Sequence, residues 1–170
     1  MHQVRALREG AVTYFEFFKL AERIEELSGS LYQTLADHPA TPPGVRELFV
    51  GLADEEQEHG RRLQLLGTSL RGSTWSNQIV EAASAGLQAA ALEFEGFLAE
   101  ARTQRRPGDL MRILDRLVKM EERLSFVHAE ELARGAGPVA ARLFESMAKQ
   151  DRRHQKLLER LRQNRFALRA

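Results

Sequence analysis

Apolar residues recur along most of the chain at intervals of three and four positions, the period of an α-helix with one buried face. One such line runs through Val45, Phe49, Leu52, Glu56, His59, Leu63 and Leu66. The alternation of apolar and polar residues that is typical of β-strands is almost absent. The pattern therefore predicts an all-α protein.

Stretches rich in glycine, proline and small polar residues interrupt this pattern. They are DHPATPPG (37–44), TSLRGST (68–74), RRPGD (105–109) and RGAGP (134–138). The stretches delimit five predicted helices, at 12–37, 43–67, 76–104, 109–134 and 138–166. Because 170 residues suit one domain, we predict a single domain in which a helix pair (12–67), an inserted helix (76–104) and a second helix pair (109–166) follow one another.

The two helix pairs are related by an internal repeat. The segment PGVRELFVGLADEEQEHGRRLQLL of the second helix aligns without a gap with PVAARLFESMAKQDRRHQKLLERL of the fifth, 95 positions later. His59 is matched by His154, and Glu56 is matched by another carboxylate, Asp151. Each pair lies midway along an apolar line, and a spacing of three residues places the carboxylate and the imidazole on one helix face.

The charged neighbours of Glu56 are not repeated. Glu55 aligns with Gln150, and Glu58 aligns with Arg153, so the charge changes at both positions. We therefore expect Glu55 and Glu58 on the solvent-exposed face of the helix, with Glu56 facing inward.

The first and fourth helices repeat in the same way, because RIEELSGSLY aligns with KMEERLSFVH at an offset of 96. Glu25 then matches Glu121, and both lie on apolar lines. Beyond these segments the alignment is better at an offset of 97, which would favour Glu122. The helix line through Glu122 carries further charged residues, so we prefer Glu121 as the inward residue.

Four carboxylates and two imidazoles are thus predicted on inward faces. If these faces meet in one core, they bring a formal charge of about −4, and burying even one unpaired carboxylate costs several kcal/mol. Two divalent cations would neutralise the charge, and mixed oxygen and nitrogen ligands suit iron or manganese. The predicted metal ligands are Glu25, Glu56, His59, Glu121, Asp151 and His154. A single Glu-x-x-His is usually a solvated charge pair, and the duplication is what singles out this set.

Further candidates surround this set. Tyr32 and His128 are aligned in the repeat, each two turns after an inward glutamate. Each is expected either to hydrogen-bond a ligand carboxylate, as a second layer around the metal, or simply to pack, and direct ligation by His128 is a further alternative. His2 and His38 are expected at the surface.

The inserted helix is rich in alanine and contains Gly86 and Gly96. Small residues allow close helix approach, so we expect it to pack against the bundle or against a second copy of the chain, as in a homodimer. Glu93 or Glu95 as an additional metal ligand is an alternative.

Composition excludes several classes of function. The chain has 25 Lys and Arg against 24 Asp and Glu, which gives no electrostatic case for binding nucleic acid or an anionic membrane. It has no cysteine, so disulfides and thiolate-held iron are excluded. There is neither a signal-peptide pattern nor an apolar run of about 20 residues. A cytoplasmic location is therefore expected.

The sequence resembles the rubrerythrin branch of the ferritin-like superfamily. The resemblance rests on IEELSGSLYQTLA, ELFVGLADEEQEHGRRL, VKMEERLSFVHAEELA and LFESMAKQDRRHQKLL, one in each of the four repeated helices. It implies a ferritin-like up-down four-helix bundle, with the inserted helix in the crossover. It also implies a di-iron centre held by the six ligands named above, which reacts with hydrogen peroxide or dioxygen.

The chain departs from the family pattern at several points. Asp151 stands where a glutamate is usual, and His128 stands where a tyrosine is usual. Rubrerythrins also carry a cysteine-ligated rubredoxin domain that delivers electrons, so a protein without cysteine needs an external electron donor. Two alternatives remain: a ferroxidase that handles iron as its substrate, and a non-catalytic helical interaction module with a degenerate metal site.

Overall fold

The computed structural model describes residues 14–69, 77–128 and 138–164. These residues form five helices and no strand: α1 Tyr14–Ala36, α2 Pro43–Ser69, α3 Asn77–Thr103, α4 Pro107–Phe126 and α5 Pro138–Gln163. The prediction of an all-α protein is confirmed for this part of the chain. The predicted helical residues 12–13, 76, 129–134 and 165–166 lie outside it. No described helix is long and apolar enough to cross a membrane.

The start of α4 differs from the prediction. The helix begins at Pro107 rather than at Asp109, because proline in the first turn lacks only an N–H that has no helical partner. The carboxylate of Asp109 accepts a hydrogen bond from the backbone N–H of Arg106 at 2.9 Å and so caps the helix. Residues that we assigned to the preceding loop therefore form the first turn.

The turn between α1 and α2 contains His38, which is buried although we expected it at the surface. The backbone N–H of Ala40 donates to Nδ1 of His38 at 3.1 Å. The hydroxyl of Thr41 donates to the carbonyl oxygen of Leu35 at 2.6 Å. The turn thus folds back over the end of α1 and satisfies a carbonyl that the helix leaves free. His2 lies outside the described residues.

The helices of each repeat pack as a pair, α1 with α2 and α4 with α5. In the first pair a Cβ atom on Gly29 would lie 3.4 Å from the carbonyl oxygen of Ala53, so glycine permits the close approach of the two backbones. Between the pairs, Phe18 of α1 stacks on Phe144 of α5 with ring centroids 6.4 Å apart. The two pairs therefore share one core.

Neighbouring helices from different pairs are antiparallel. From Glu25 to Tyr32 in α1, the side chain met in α4 changes from His128 to Glu121. The contacts between α2 and α5 run in opposite directions in the same way. The four helices thus enclose a central line of residues, and each repeated motif faces its counterpart.

Helix α3 lies outside these four helices, against α1 and close to α4. Its buried face includes Phe94 and Phe97. Glu93 forms an ion pair with Arg123, and Glu95 lies 3.5 Å from Arg23, and the two glutamate side chains are 40% and 47% exposed. The alternative that Glu93 or Glu95 reaches the metal site is therefore wrong. A homodimer stays a prediction.

A π-helical turn at the end of α4 lies close to the point where the offset of the repeat changes. At residues 127–128 the helix widens into a π-helical turn, which accommodates one extra residue. The alignment of α4 with α1 shifts by one position just after this turn, from 96 to 97. The offset therefore changes beyond Glu121, and Glu121 stays equivalent to Glu25.

Candidate metal centre

Seven carboxylate and imidazole side chains lie in the middle of the apolar core, each at most 1% exposed. They are Glu25, Glu56, His59, Glu121, His128, Asp151 and His154. All six predicted ligands are among them, and His128 is the seventh. Glu122 is exposed, so Glu121 is the inward residue of that pair.

Glu56 belongs to two groups of potential ligands. One group consists of Glu25, Glu56 and His59, and the other consists of Glu56, Glu121 and His154. Within each group, one ligand atom from every residue lies within 4.8 Å of the others. Metal–ligand bonds of about 2 Å place the ligand atoms of one ion roughly 3–4 Å apart. Each group therefore has the size of a single-ion site, and Glu56 is common to both.

The two histidines of the repeat turn Nδ1 toward Glu56. Nδ1 of His59 lies 3.2 Å from Oε2 of Glu56 and 3.3 Å from Oε2 of Glu25. Nδ1 of His154 lies 2.8 Å from Oε1 of Glu56 and 3.9 Å from Oε2 of Glu121. Each imidazole thus faces a different oxygen of Glu56, which is the arrangement expected of a carboxylate that bridges two ions.

Several atoms of the cluster are buried without a hydrogen-bond partner among the described residues. They are Oε1 of Glu25, Oε1 of Glu56, Oε2 of Glu121 and Nδ1 of His154. Nδ1 of His154 is close to Oε1 of Glu56, but the two atoms are not aligned for a hydrogen bond. A buried polar atom without a partner costs about 1–3 kcal/mol, and more when it is charged. Converging lone pairs without a donor fit a bound cation.

The outer nitrogen of each histidine contacts the opposite helix. Nε2 of His59 lies 2.9 Å from Oε1 of Gln150, and Nε2 of His154 lies 3.0 Å from Oε2 of Glu55. Metal-binding histidines usually donate their second N–H in this way, which fixes the orientation of the ring. We expected Glu55 on the solvated face, whereas it is only partly exposed. The sequence does contain one indication of these contacts: Glu55 and Gln150 occupy equivalent positions in the repeat, and both can accept a hydrogen bond.

Tyr32 and His128 contact glutamates across the core. The hydroxyl of Tyr32 donates to Oε1 of Glu121 at 2.5 Å. Nε2 of His128 lies 3.4 Å from Oε1 of Glu25, and its Nδ1 lies 2.7 Å from Oδ2 of Asp151. The carboxylate of Asp151 is therefore engaged by His128, and neither Asp151 nor His128 belongs to the two groups of potential ligands.

The imidazoles have raised pKa values. Burial lowers the pKa of His59, but hydrogen bonds to Glu25 and Glu56 outweigh burial and raise the pKa to about 11. Burial likewise lowers the pKa of His154, but Glu56, Glu121 and Glu55 together outweigh burial and raise the pKa to about 9. Burial also lowers the pKa of His128, but Asp151 and Glu25 together outweigh burial and raise the pKa to about 10. Without a metal ion these histidines are therefore protonated at neutral pH.

The pKa values of Glu25 and Glu121 shift in opposite directions. Burial raises the pKa of Glu25, but His128 and His59 outweigh it and lower the pKa to about 2. Burial raises the pKa of Glu121 well above its usual value, and the negative charge of Glu56 adds to this effect. The cluster can therefore hold an added proton or an added cation near Glu121.

A cavity of about 210 Å³ lies in the groove between α1 and α2 and reaches Glu56. Glu22, Glu26 and Gly60 contribute to its wall, and several other lining residues are exposed. A Cβ atom on Gly60 would lie 3.8 Å from Cβ of Glu25, so glycine leaves space beside the cluster. The cavity therefore extends from the surface to the residue that both ligand groups share.

Comparisons with known proteins give no identification, because the chain matches no family model, no curated protein and no solved structure.

Proposed function

We propose that the protein is a ferritin-like dimetal carboxylate protein that binds two iron ions, with manganese as the alternative metal. The observation that carries the proposal is the position of Glu56 in two groups of buried ligand atoms, several of which have no hydrogen-bond partner in residues 14–69, 77–128 and 138–164. The antiparallel packing of two repeated helix pairs around this cluster supports a ferritin-like fold.

The residues present fit two divalent ions. Glu25 and His59 would hold one ion, Glu121 and His154 would hold the other, and Glu56 would bridge them. Oxygen and nitrogen ligands without thiolate suit iron or manganese. The two sites have the same kinds of ligands because they arise from the same repeated motif.

We infer an oxidoreductase activity that uses hydrogen peroxide or dioxygen as oxidant. Bound iron would supply the redox chemistry: two Fe(II) give two electrons, which with two protons reduce one hydrogen peroxide to two waters. The chain itself holds the ligands in place, with Gln150 and Glu55 fixing the imidazoles and Tyr32 fixing Glu121. Because the chain has no cysteine, an external donor must return the two electrons.

The first test is the metal content of protein purified from iron-supplemented culture. We expect about two metal ions per chain, and fewer in His59→Ala and in His154→Ala, because each variant loses a ligand of one group. Glu58→Ala is the matched control, since Glu58 pairs with Arg61 and Arg62 away from the cluster. A parent protein that takes up no metal would refute the proposal.

The second test addresses the reaction. Anaerobic protein loaded with Fe(II) is mixed with hydrogen peroxide, and the Fe(III) formed is counted by absorption. We expect two Fe(III) per peroxide and repeated turnover once a reductant is added. If the protein binds metal but neither peroxide nor dioxygen oxidises it, then metal binding stands and the oxidoreductase activity does not.

Iron handling is a second candidate function, and the cavity that reaches Glu56 favours it. A ferroxidase uses Fe(II) as its substrate and needs such a route, because each oxidised ion must leave the site. Iron that is oxidised and then released into solution or a mineral core would indicate this function. Iron that stays bound through many cycles of peroxide reduction would indicate the oxidoreductase.

A non-catalytic module is a third candidate, and it is favoured by the pairing of three imidazoles with four carboxylates in the core. Protonated histidines nearly balance the carboxylates, so the cluster can persist without metal. A protein with this role would contain no stoichiometric metal, and Glu56→Ala would destabilise it, because His59 and His154 would lose the carboxylate that pairs with both of them.

A further inference from the structure

The repeat relates Tyr32 to His128, but the two side chains have different chemistry. Tyr32 approaches Glu121 with a hydroxyl that donates a hydrogen bond to Oε1. His128 approaches Glu25 with a ring nitrogen, and Oε1 of Glu25 has no hydrogen-bond partner within the part of the chain that the structure describes. The phenol of Tyr32 thus hydrogen-bonds Oε1 of Glu121, whereas the imidazole of His128 faces Oε1 of Glu25.

Asp151 determines which nitrogen of His128 faces Glu25. The ionised carboxylate can only accept hydrogen bonds, so the contact of 2.7 Å from Oδ2 to Nδ1 requires a proton on Nδ1. In a neutral imidazole the lone pair then lies on Nε2. That atom is 3.4 Å from Oε1 of Glu25, a separation that suits two ligands of one ion with bonds of about 2 Å.

The contacts of His128 follow the pattern of a metal ligand. A carboxylate that holds one ring nitrogen while the other binds the ion is common in metalloproteins. The ring is 1% exposed and stacks on Phe144, with centroids 6.2 Å apart, so its orientation is fixed on one side by packing and on the other by Asp151. The side chain of Asp151 is one methylene shorter than the glutamate expected there, which suits a residue that reaches His128 rather than an ion.

We propose that His128 is an additional ligand of the metal ion at Glu25, and that Asp151 orients His128 instead of bridging the two ions. This inference rests on the proposed function. It makes the two sites unequal: His128, which lies outside both groups of potential ligands, joins the ion of Glu25, Glu56 and His59 from the side of Glu25, and Glu56, Glu121 and His154 hold the other ion. The first site has two nitrogen ligands and is expected to bind Co(II) or Fe(II) more tightly.

The test uses the full chain loaded with Co(II), whose absorption and paramagnetic proton spectra report on the ligands. Each bound histidine keeps one ring N–H, so the parent protein should show three strongly shifted, exchangeable ring signals. His128→Phe should show two such signals and should bind one of the two ions at least 10-fold more weakly. Asp151→Asn should keep three signals and both ions, because the amide oxygen can still accept from Nδ1. Circular dichroism checks the folding of each variant.

The possible outcomes separate this inference from the proposed function. Three signals falling to two in His128→Phe support it. Two signals in the parent, or unchanged affinity and spectra in His128→Phe, overturn it while leaving the dimetal site intact. If His128→Phe does not fold, His128→Tyr, which copies Tyr32, serves instead and should also show two signals. Loss of an ion in Asp151→Asn, with His128→Phe unaffected, would make Asp151 the ligand. A parent that binds no Co(II) refutes both proposals.

Discussion

The carboxylate of Glu55 in α2 accepts a hydrogen bond from Nε2 of His154 in α5, at 3.0 Å. The repeat produces a second contact of the same kind, since Nε2 of His59 lies 2.9 Å from Oε1 of Gln150. In each case the residue just before an inward carboxylate holds the histidine of the other helix pair. With Nε2 donating outward, a neutral imidazole presents the lone pair of Nδ1 to Glu56.

The first prediction concerns Glu55. Glu55→Ala should lower metal affinity by about 10- to 100-fold, because the ring of His154 loses the partner that orients it. Glu55→Gln should retain most of the affinity, since its amide oxygen copies Gln150. Competition with a chelator of known affinity measures both changes.

The control for this prediction is Glu58→Ala, which removes a carboxylate from the same helix without touching His154. Equal affinities for Glu55→Ala and Glu58→Ala would show that Glu55 affects the site only through its charge or not at all.

The second prediction uses the shared position of Glu56. Glu56→Ala should abolish binding of both ions, whereas Glu121→Ala should leave one, because Glu121 belongs to a single ligand group. Elemental analysis after dialysis against a weak chelator gives the number of ions per chain. Asp54→Ala is the matched control, since this neighbouring carboxylate is exposed. Retention of one ion by Glu56→Ala would mean that Glu56 does not bridge.

The sequence predicts the helices and the inward positions of Glu25, Glu56 and Glu121 because helical periodicity determines which residues face the core. Glu121 could be preferred to Glu122 for the same reason, and the structure buries Glu121. The π-helical turn at residues 127–128 lies beyond Glu121, as does the change of offset in the alignment. These features depend on backbone position alone.

The contacts of Glu55 and Asp151 could not be predicted from periodicity. Periodicity assigns a residue to a face, but it does not say which atom of a partner helix the side chain reaches. Glu55 lies at the edge of the buried face, where it is partly exposed yet long enough to reach His154. Asp151 lies on the inward face, but His128 engages its short side chain.

The third prediction concerns protons. Metal ions bind the deprotonated imidazole, while the pKa values of His59 and His154 are about 11 and about 9 without metal. Binding of two ions at pH 7 should therefore release about two protons or more per chain, and affinity should rise with pH. Calorimetric titration with Co(II) in buffers of different ionisation enthalpy gives the number of protons. Release of none would show that these histidines are not ligands.

The same shifts predict how the stability of the metal-free protein depends on pH. The raised histidine pKa values stabilise the fold fully below the unfolded value of about 6.5, and this contribution disappears as the pH rises through about 9 to 11. The lowered pKa of Glu25 stabilises the fold above about 4.5, and this contribution is lost as the pH falls toward about 2. The midpoint temperature of thermal unfolding, measured with chelator present, should thus be lower at acidic pH and at alkaline pH than near neutral pH. A midpoint that does not fall between pH 8 and 11 would contradict the histidine shifts.

The last prediction concerns the cavity beside Glu56. If ions enter through this groove, a side chain at Gly60 should slow metal uptake without changing the number of ions bound. Gly60→Leu fills the wall next to Glu25, and we expect its rate of Co(II) binding in stopped flow to fall at least 10-fold, with Gly60→Ala intermediate. Gly51→Leu is the control, because a Cβ atom there meets nothing within 4 Å. Since alanine or leucine replaces glycine within a helix in all three, helix propensity alone should stabilise each by about 0.5–1 kcal/mol. Equal rates in Gly60→Leu and Gly51→Leu, with full metal content in both, would place the route of entry elsewhere.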